Sequence, residues 1–185
     1  MVYKILLIGE PGVGKTQILQ KFGSGEFTTS YLPTIGVDLQ TYYLSRLSTD
    51  VNFIEIGGTS INDFFNFPPV IEGVDLVIFV CDHFTIQSSQ LFSYLKMKIQ
   101  EKNLRRVSFL IIRNKIDLVP FTCDELENLT QYSLIHQLTF LPITSKDEGC
   151  IDCLESFIFQ IMEKSGLKTE NTYSCLETIH EDALF

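Results

Sequence analysis

Positive charge is scarce in this chain: 14 lysines and arginines stand against 23 aspartates and glutamates, and the 185 residues carry a net charge of −9. A surface of that sign repels a phosphate backbone, which excludes a nucleic-acid partner, and it leaves no polybasic patch of the kind that holds a protein to an anionic membrane. No apolar run approaches the roughly 20 residues that span a bilayer, and no basic region with a cleavage site precedes the first strand. The three histidines, His83, His136 and His180, are scattered, so no metal constellation can be assembled from them. Cysteines number five (Cys81, Cys123, Cys150, Cys153 and Cys175), an odd count that, without a secretory leader, fits a reducing compartment. Cys150 and Cys153 have redox or zinc spacing, but with no second pair and no nearby histidine they read as two ordinary thiols near a helix start. Asn128-Leu129-Thr130 matches a glycosylation acceptor that has no consequence in the cytosol. Internal repeats and interdomain linkers are missing too. What remains is one cytoplasmic domain, and a hydrophobic content of 45% with 15 phenylalanines gives it material for a full core.

Against these absences stands one dense stretch, Gly9-Glu10-Pro11-Gly12-Val13-Gly14-Lys15-Thr16. An apolar run, Ile5-Leu6-Leu7-Ile8, precedes it, and Gln17 to Phe22 reads as a helix after it. Strand, glycine-rich turn and helix are the context in which G-x-x-x-x-G-K-[ST] means a phosphate cradle. Gly12, Val13 and Gly14 let successive backbone N–H groups point at phosphate oxygens, and the helix N-terminus adds partial positive charge. Lys15 is placed to reach the β- and γ-phosphates, and the Thr16 hydroxyl to ligate Mg²⁺.

Further along, Gly23-Ser24-Gly25 stops the first helix, and a long polar loop runs from Glu26 to Gly36. Strands are expected at about 37–46 and 51–56, joined by a Leu47-Ser48-Thr49-Asp50 turn, hence antiparallel. Val74–Cys81 and Val107–Ile112 are near-continuous apolar runs, the mark of strands buried on both faces. Residues 86–103 carry a helical stripe at Leu91, Leu95 and Ile99. Thr122-Cys123-Asp124-Glu125 has the form of a capping box for a helix to about His136. A short strand, Thr139–Ile143, precedes a last helix marked by Leu154, Phe157, Ile158 and Ile161, with Gly166 as its stop. Alternating strands and helices predict an α/β domain with a mostly parallel sheet, and the loops 9–16, 57–60, 114–117 and 144–146 all follow strands, where such sheets bind ligands.

A phosphate cradle does not choose the nucleotide; Asn114-Lys115-Ile116-Asp117 does. The Asp117 carboxylate can accept two hydrogen bonds from the N1–H and N2–H₂ edge of guanine, donors that adenine lacks. Asn114 can hold the other side of the site, and the Lys115 stem can pack over the base.

With both motifs in order, residues 1–166 resemble the Ras superfamily of small GTPases. The sequence is most similar to the Rab branch, through Thr34-Ile35-Gly36-Val37-Asp38. The resemblance implies a six-stranded, mostly parallel sheet flanked by helices, with GTP or GDP and Mg²⁺ as cofactors. It implies that Thr34 binds Mg²⁺ and senses the γ-phosphate, that Phe27 stacks on guanine, and that Tyr31 is the switch tyrosine. Thr144-Ser145-Lys146 stands where the family has Ser-Ala-Lys, so the Ser145 N–H meets guanine O6 and the Lys146 stem flanks the base.

The departures are as informative. Where the family has Asp-Thr-Ala-Gly-Gln, this chain has Glu55-Ile56-Gly57-Gly58-Thr59. Gly58 keeps an N–H for a γ-phosphate, and Glu55 keeps charge near Mg²⁺ with one methylene more. Thr59 stands at the place of the water-orienting glutamine and is too short for that work, which predicts slow hydrolysis unless a partner supplies the function. Pro11 stiffens the cradle and offers no N–H. Phe64, Phe65 and Phe67 form either an exposed partner patch or satellite core. No C-a-a-X ends the chain, and Cys175 lacks basic neighbours, so any membrane attachment is expected to be indirect.

The expected protein is thus a guanine-nucleotide switch in vesicle trafficking, with residues 1–166 as the GTPase domain and 167–185 as a flexible tail. Effectors, an exchange factor or a GTPase-activating protein would meet it through residues 31–38 and 57–69. Lys15, Thr34 and Thr59 would act in hydrolysis; Thr16, Thr34 and Glu55 would hold the metal. A pseudo-GTPase scaffold is the alternative. A P-loop small-molecule kinase leaves Asn114–Asp117 unexplained.

Overall fold

Strands that are apolar at nearly every position need cover on both faces. Tyr3–Ile8 (β1), Leu76–Cys81 (β4) and Ser108–Arg113 (β5) meet that need by lying inside a six-stranded sheet of order β2-β3-β1-β4-β5-β6, in which β2 is Val37–Leu44, β3 is Thr49–Ile56 and β6 is Thr139–Pro142. The structure is a computed structural model and describes residues 2–27, 32–46, 48–61, 68–103, 106–147 and 149–164. Val37–Leu44 (β2) pairs antiparallel with Thr49–Ile56 (β3); the pairs β1–β3, β1–β4, β4–β5 and β5 with Thr139–Pro142 (β6) are parallel. This is the expected P-loop GTPase architecture.

The two-residue period of a strand sends neighbouring side chains to opposite faces. Ile5 and Leu7 join Phe53, Ile78 and Ile112 on one side, covered by Lys15–Ser24 (α1) through Ile18 and Leu19 and by Cys150–Lys164 (α5) through Leu154, Ile158 and Met162. Leu6 and Ile8 join Ile54, Phe79 and Ile111 on the other, covered by Ile86–Lys102 (α3) through Phe92, Leu95 and Ile99 and by Cys123–His136 (α4) through Leu129. Each such side chain contributes about 1.5–3 kcal/mol by leaving water, so the sheet is a rigid platform for the loops at its strand ends. The short helix Pro68–Ile71 (α2) precedes β4.

Two expectations need correction. The strands reach further than a turn over 47–50 allows: Leu44 pairs with Thr49, Ser48 takes φ 49°, and its N–H donates to the Ser45 carbonyl at 3.2 Å. Thr49 and Asp50 are therefore strand residues. The capping box at α4 is only half made. The Thr122 hydroxyl accepts from the Glu125 N–H at 3.1 Å, but the Glu125 carboxylate turns inward to the Phe84 N–H and to Arg113. A buried guanidinium outcompetes a helix-end amide for a carboxylate.

Cys81, Cys123 and Cys150 are free thiols. Burial pushes the Cys81 thiol up to about 12 and raises Cys150 as well, which makes both poor nucleophiles. No helix among the described residues is long and apolar enough to cross a membrane. Tyr31, Phe64, Phe65, Phe67, Gly166, Cys175 and the 167–185 segment lie outside the described residues.

Candidate functional site

The β1–α1 turn forms because glycine relieves two steric conflicts. Gly14 sits at φ 97°, and a Cβ there would lie 2.3 Å from Asn114 Nδ2. Gly58, beyond β3, is pressed on the same turn, since its Cβ would lie 2.2 Å from the Pro11 nitrogen. The N-terminus of α1 has no side-chain cap and no acidic residue in its first turn, so its amides keep their partial positive charge. They face a cavity of about 220 Å³ lined by Gly12, Gly14, Lys15, Thr16, Pro33, Thr34, Glu55, Gly58 and Thr59 among others. Lys15 is only 5% exposed and donates to the Gly9 and Glu10 carbonyls at 2.9 and 2.8 Å. An ammonium has three donors, so one is left for an anion in the cavity. Burial lowers the Lys15 pKa, against the pull of Glu55 and Glu10.

The wall opposite Lys15 tests whether a cation fits. The Thr16 hydroxyl donates to Glu55 Oε1 at 2.7 Å, the Thr34 hydroxyl reaches the same oxygen at 3.1 Å, and the two hydroxyls are 3.0 Å apart. Glu55 is 1% exposed, and its Oε2 finds no partner among the described residues. Burial raises its pKa, although the two threonines and Lys15 pull the other way. A buried carboxylate with an orphaned oxygen and two adjacent hydroxyls is a hard, all-oxygen donor set that suits Mg²⁺. No cluster of three or more His, Cys, Asp or Glu occurs among the described residues.

Thr34 and Gly58 belong to loops that hold each other. The Gly57 N–H donates to the Gly36 carbonyl at 2.9 Å, and the Gly36 N–H donates to the Ser60 hydroxyl at 3.1 Å. Thr59 lines the cavity beside Gly58.

At the other end of the cleft, Asn114 is completely buried and ties three loops. Its Nδ2 donates to the Val13 carbonyl at 2.9 Å, and its Oδ1 accepts from the Ser145 N–H at 3.2 Å. The Thr144 hydroxyl donates to Asp117 Oδ1 at 2.7 Å and Lys146 Nζ to Asp117 Oδ2 at 2.6 Å. The hydrogen bonds from Lys146 and then Thr144 hold the Asp117 carboxyl below its ordinary value, so it remains a double acceptor. Lys115, at φ 60°, pairs with Asp82 at 3.0 Å. Phe27 is half-buried, two residues beyond the Gly25 that caps α1.

The structure thus brings Gly12, Val13, Gly14, Lys15, Thr16, Thr34, Glu55, Gly58 and Thr59 to one end of a cleft and Asn114, Lys115, Asp117, Thr144, Ser145 and Lys146 to the other. Asp82 and Arg113 take part without any motif to announce them, and Glu125 was expected only as a capping residue. A charged residue closing a buried apolar strand, as Arg113 does, was the available signal.

The family model described as "ADP-ribosylation factor family" matches residues 1–182 of the chain. Similar proteins include the GTP-binding protein ypt1 of Schizosaccharomyces pombe, 26% identical over 91% of this chain and 84% of its own length. The Ras-related protein Rab-18 of Lymnaea stagnalis is 28% identical over 89% and 82%. The Ras-related protein Rab11D of Nicotiana tabacum is 26% identical over 94% and 80%.

Proposed function

Because the chain belongs to the ADP-ribosylation factor family of small GTPases, we propose that it is a guanine-nucleotide-dependent switch with slow intrinsic hydrolysis of GTP. The observation that carries the reading is the pairing of two half-sites through Asn114. One half has a lysine, uncapped helix amides and a buried carboxylate around a small cavity; the other has an ionised aspartate on a fixed turn. In the proposed roles the Lys15 ammonium and the α1 amides bind phosphate oxygens, and Asp117 reads the guanine edge. Thr16, Thr34 and Glu55 would hold Mg²⁺, which supplies charge neutralisation at the phosphates when bound.

Thr34 is shared by this cluster and by the loop that clasps Gly57, so a ligand that engages Thr34 also orders 34–36 and 57–60. That is the switch element. Leu32, Ile35 and Leu39 are 82%, 88% and 61% exposed beside it, an apolar strip that suits effectors or regulators meeting residues 31–38 and 57–69. A role in vesicle trafficking follows from resemblance alone. The alternative, a binding module that does not cycle, draws on Thr59, which offers no side chain long enough to orient a water.

Nucleotide extraction from the purified protein, followed by GTP loading with Mg²⁺ and phosphate release, tests the reading. Guanine nucleotide should be bound and release slow, with Thr59→Gln raising it roughly tenfold or more. Fast wild-type turnover would sink the role given to Thr59, and a protein that takes up no nucleotide would leave only the binding module.

A further inference from the structure

We propose that Arg113 is a positioning residue for base selectivity: clamped by Glu125, its guanidinium fixes the 114–119 turn in the shape that lets Asp117 tell guanine from other purines. The inference rests on the guanine-nucleotide reading above and adds to it a residue outside every motif.

Arg113 closes β5 with no exposed surface. A guanidinium so buried is tolerated only when it is well matched, and here each of its three nitrogens donates. Nε donates to Glu125 Oε1 at 2.8 Å and Nη2 to Glu125 Oε2 at 3.2 Å, a two-point pair. Nη1 donates to the Asn114 carbonyl at 2.8 Å, and Nη2 also to the Val119 carbonyl at 2.9 Å. The Phe121 ring lies 4.9 Å from the guanidinium carbon. The two carbonyls are the entrance and exit of the turn that carries Lys115 and Asp117.

That turn needs holding. Lys115 has φ 60°, a left-handed conformation unfavourable for a side chain, and its carbonyl accepts from both the Leu118 and Val119 N–H groups at 3.0 Å. With both ends pinned, the position of the Asp117 carboxylate is decided by the backbone and not by its own exposed contacts. The clamp is itself anchored twice. Glu125 lies in the first turn of α4 behind the Thr122 cap, and its Oε1 also accepts from the Phe84 N–H at 2.7 Å. Burial pushes the Glu125 carboxyl up, but the Arg113 hydrogen bonds and the Phe84 amide outweigh it and leave it lowered, hence ionised. Asp82, two residues before Phe84, reaches Lys115. A lysine at 113 would keep the charge and lose the fork that spans both carbonyls.

A purely structural ion pair would give the same burial, so the test must read selectivity. Hypoxanthine, the base of IDP, differs from guanine only by lacking the N2 amino group, one of the two donors that Asp117 would take. Dissociation rates of GDP and IDP are measured on the full-length wild type, Arg113→Lys, Glu125→Gln and Phe121→Leu, with thermal melting in parallel. Arg113→Lys should speed GDP release roughly tenfold and IDP release by clearly less, because IDP has only the N1–H bond to Asp117 to lose, so the preference for guanine falls. Glu125→Gln and Phe121→Leu should move the same ratio in the same direction by less. An unchanged ratio in any folded ion-pair variant, whatever its melting temperature, overturns the proposal. If both ion-pair variants fail to fold, Phe121→Leu, at a half-buried position, decides it: a lowered ratio supports the clamp and an unchanged one overturns it. A wild type that prefers no guanine nucleotide fails one step earlier, at the nucleotide reading, and takes this inference with it.

Discussion

The two ends of the cleft are finished to different degrees. At the base end the polar groups already have partners: Asn114 bridges Val13 and Ser145, and both Asp117 oxygens are taken by Thr144 and Lys146. At the phosphate end Thr16 and Thr34 crowd onto one oxygen of Glu55, and the other has none. An unpartnered buried carboxylate oxygen is costly, whereas a satisfied network is rigid. The difference teaches a division of labour. On the proposed reading, base recognition would rely on geometry built into the fold, and the phosphate end on charge that arrives with its ligand.

The sharpest way to break the comparison is to damage the residue that couples both ends. Gly14→Ala places a Cβ at φ 97° and 2.3 Å from Asn114 Nδ2. The backbone strain costs about 1–3 kcal/mol, and the forced shift of Asn114 costs about 1–3 more. Together these make about 2–6 kcal/mol; where the turn relaxes in the free protein and must be re-formed on binding, GDP affinity falls roughly 30-fold or more. Calorimetric titration checks it. An affinity close to wild type would mean that the two ends are independent.

Glu55→Gln is a smaller change that should act in opposite directions on two measurements. The folded-state pKa of Glu55 is raised above the ordinary 4.5, so the protonated form favours the fold. Its stability contribution is therefore present below that ordinary value and lost as pH rises through the raised one. At neutral pH the ionised carboxylate costs the cation-free protein stability, about 1–3 kcal/mol for a buried acceptor without a donor. A neutral amide leaves an NH₂ at the unpartnered position but removes the desolvation of a buried charge, the larger cost, so the melting temperature without Mg²⁺ and nucleotide should rise. The same change should abolish the dependence of nucleotide retention on Mg²⁺. A fall in melting temperature would show that the ionised group is already well solvated.

Much of this was legible in the sequence because motif and periodicity are local. The glycine-rich turn at Gly9–Thr16, the turn at Asn114–Asp117 and the buried strands β4 and β5 each announce themselves within ten residues. What was not legible depends on contacts over long separations. Glu125 carried a capping signature and spends its carboxylate on Arg113 and Phe84, because a partner from β5 offers a stronger bond than its own helix end. The hairpin turn was placed to end two residues late, since its position is decided by the register of Leu44 on Thr49 and not by polarity. The clasp of Gly57 on Gly36 joins two loops whose sequences say nothing of each other.

The smallest expected effect separates the two supports of Asp117. Lys146 is the first cause of its lowered pKa, but the side chains of the pair are 47% and 27% exposed. A depressed carboxylate contributes above its ordinary pKa of 3.8 and loses that contribution only as pH falls through the lowered value. GDP release should therefore show no Asp117 titration between about pH 7 and pH 5. Lys146→Met should cost less than about 1 kcal/mol, with a difference from wild type that shrinks further in high salt. Stopped-flow GDP release across pH and salt measures both. If Lys146→Met instead weakened binding as much as Arg113→Lys, the Asp117 carboxylate would be oriented by its exposed ion pair, and the claim that the fold fixes the base end would fail where it is most specific.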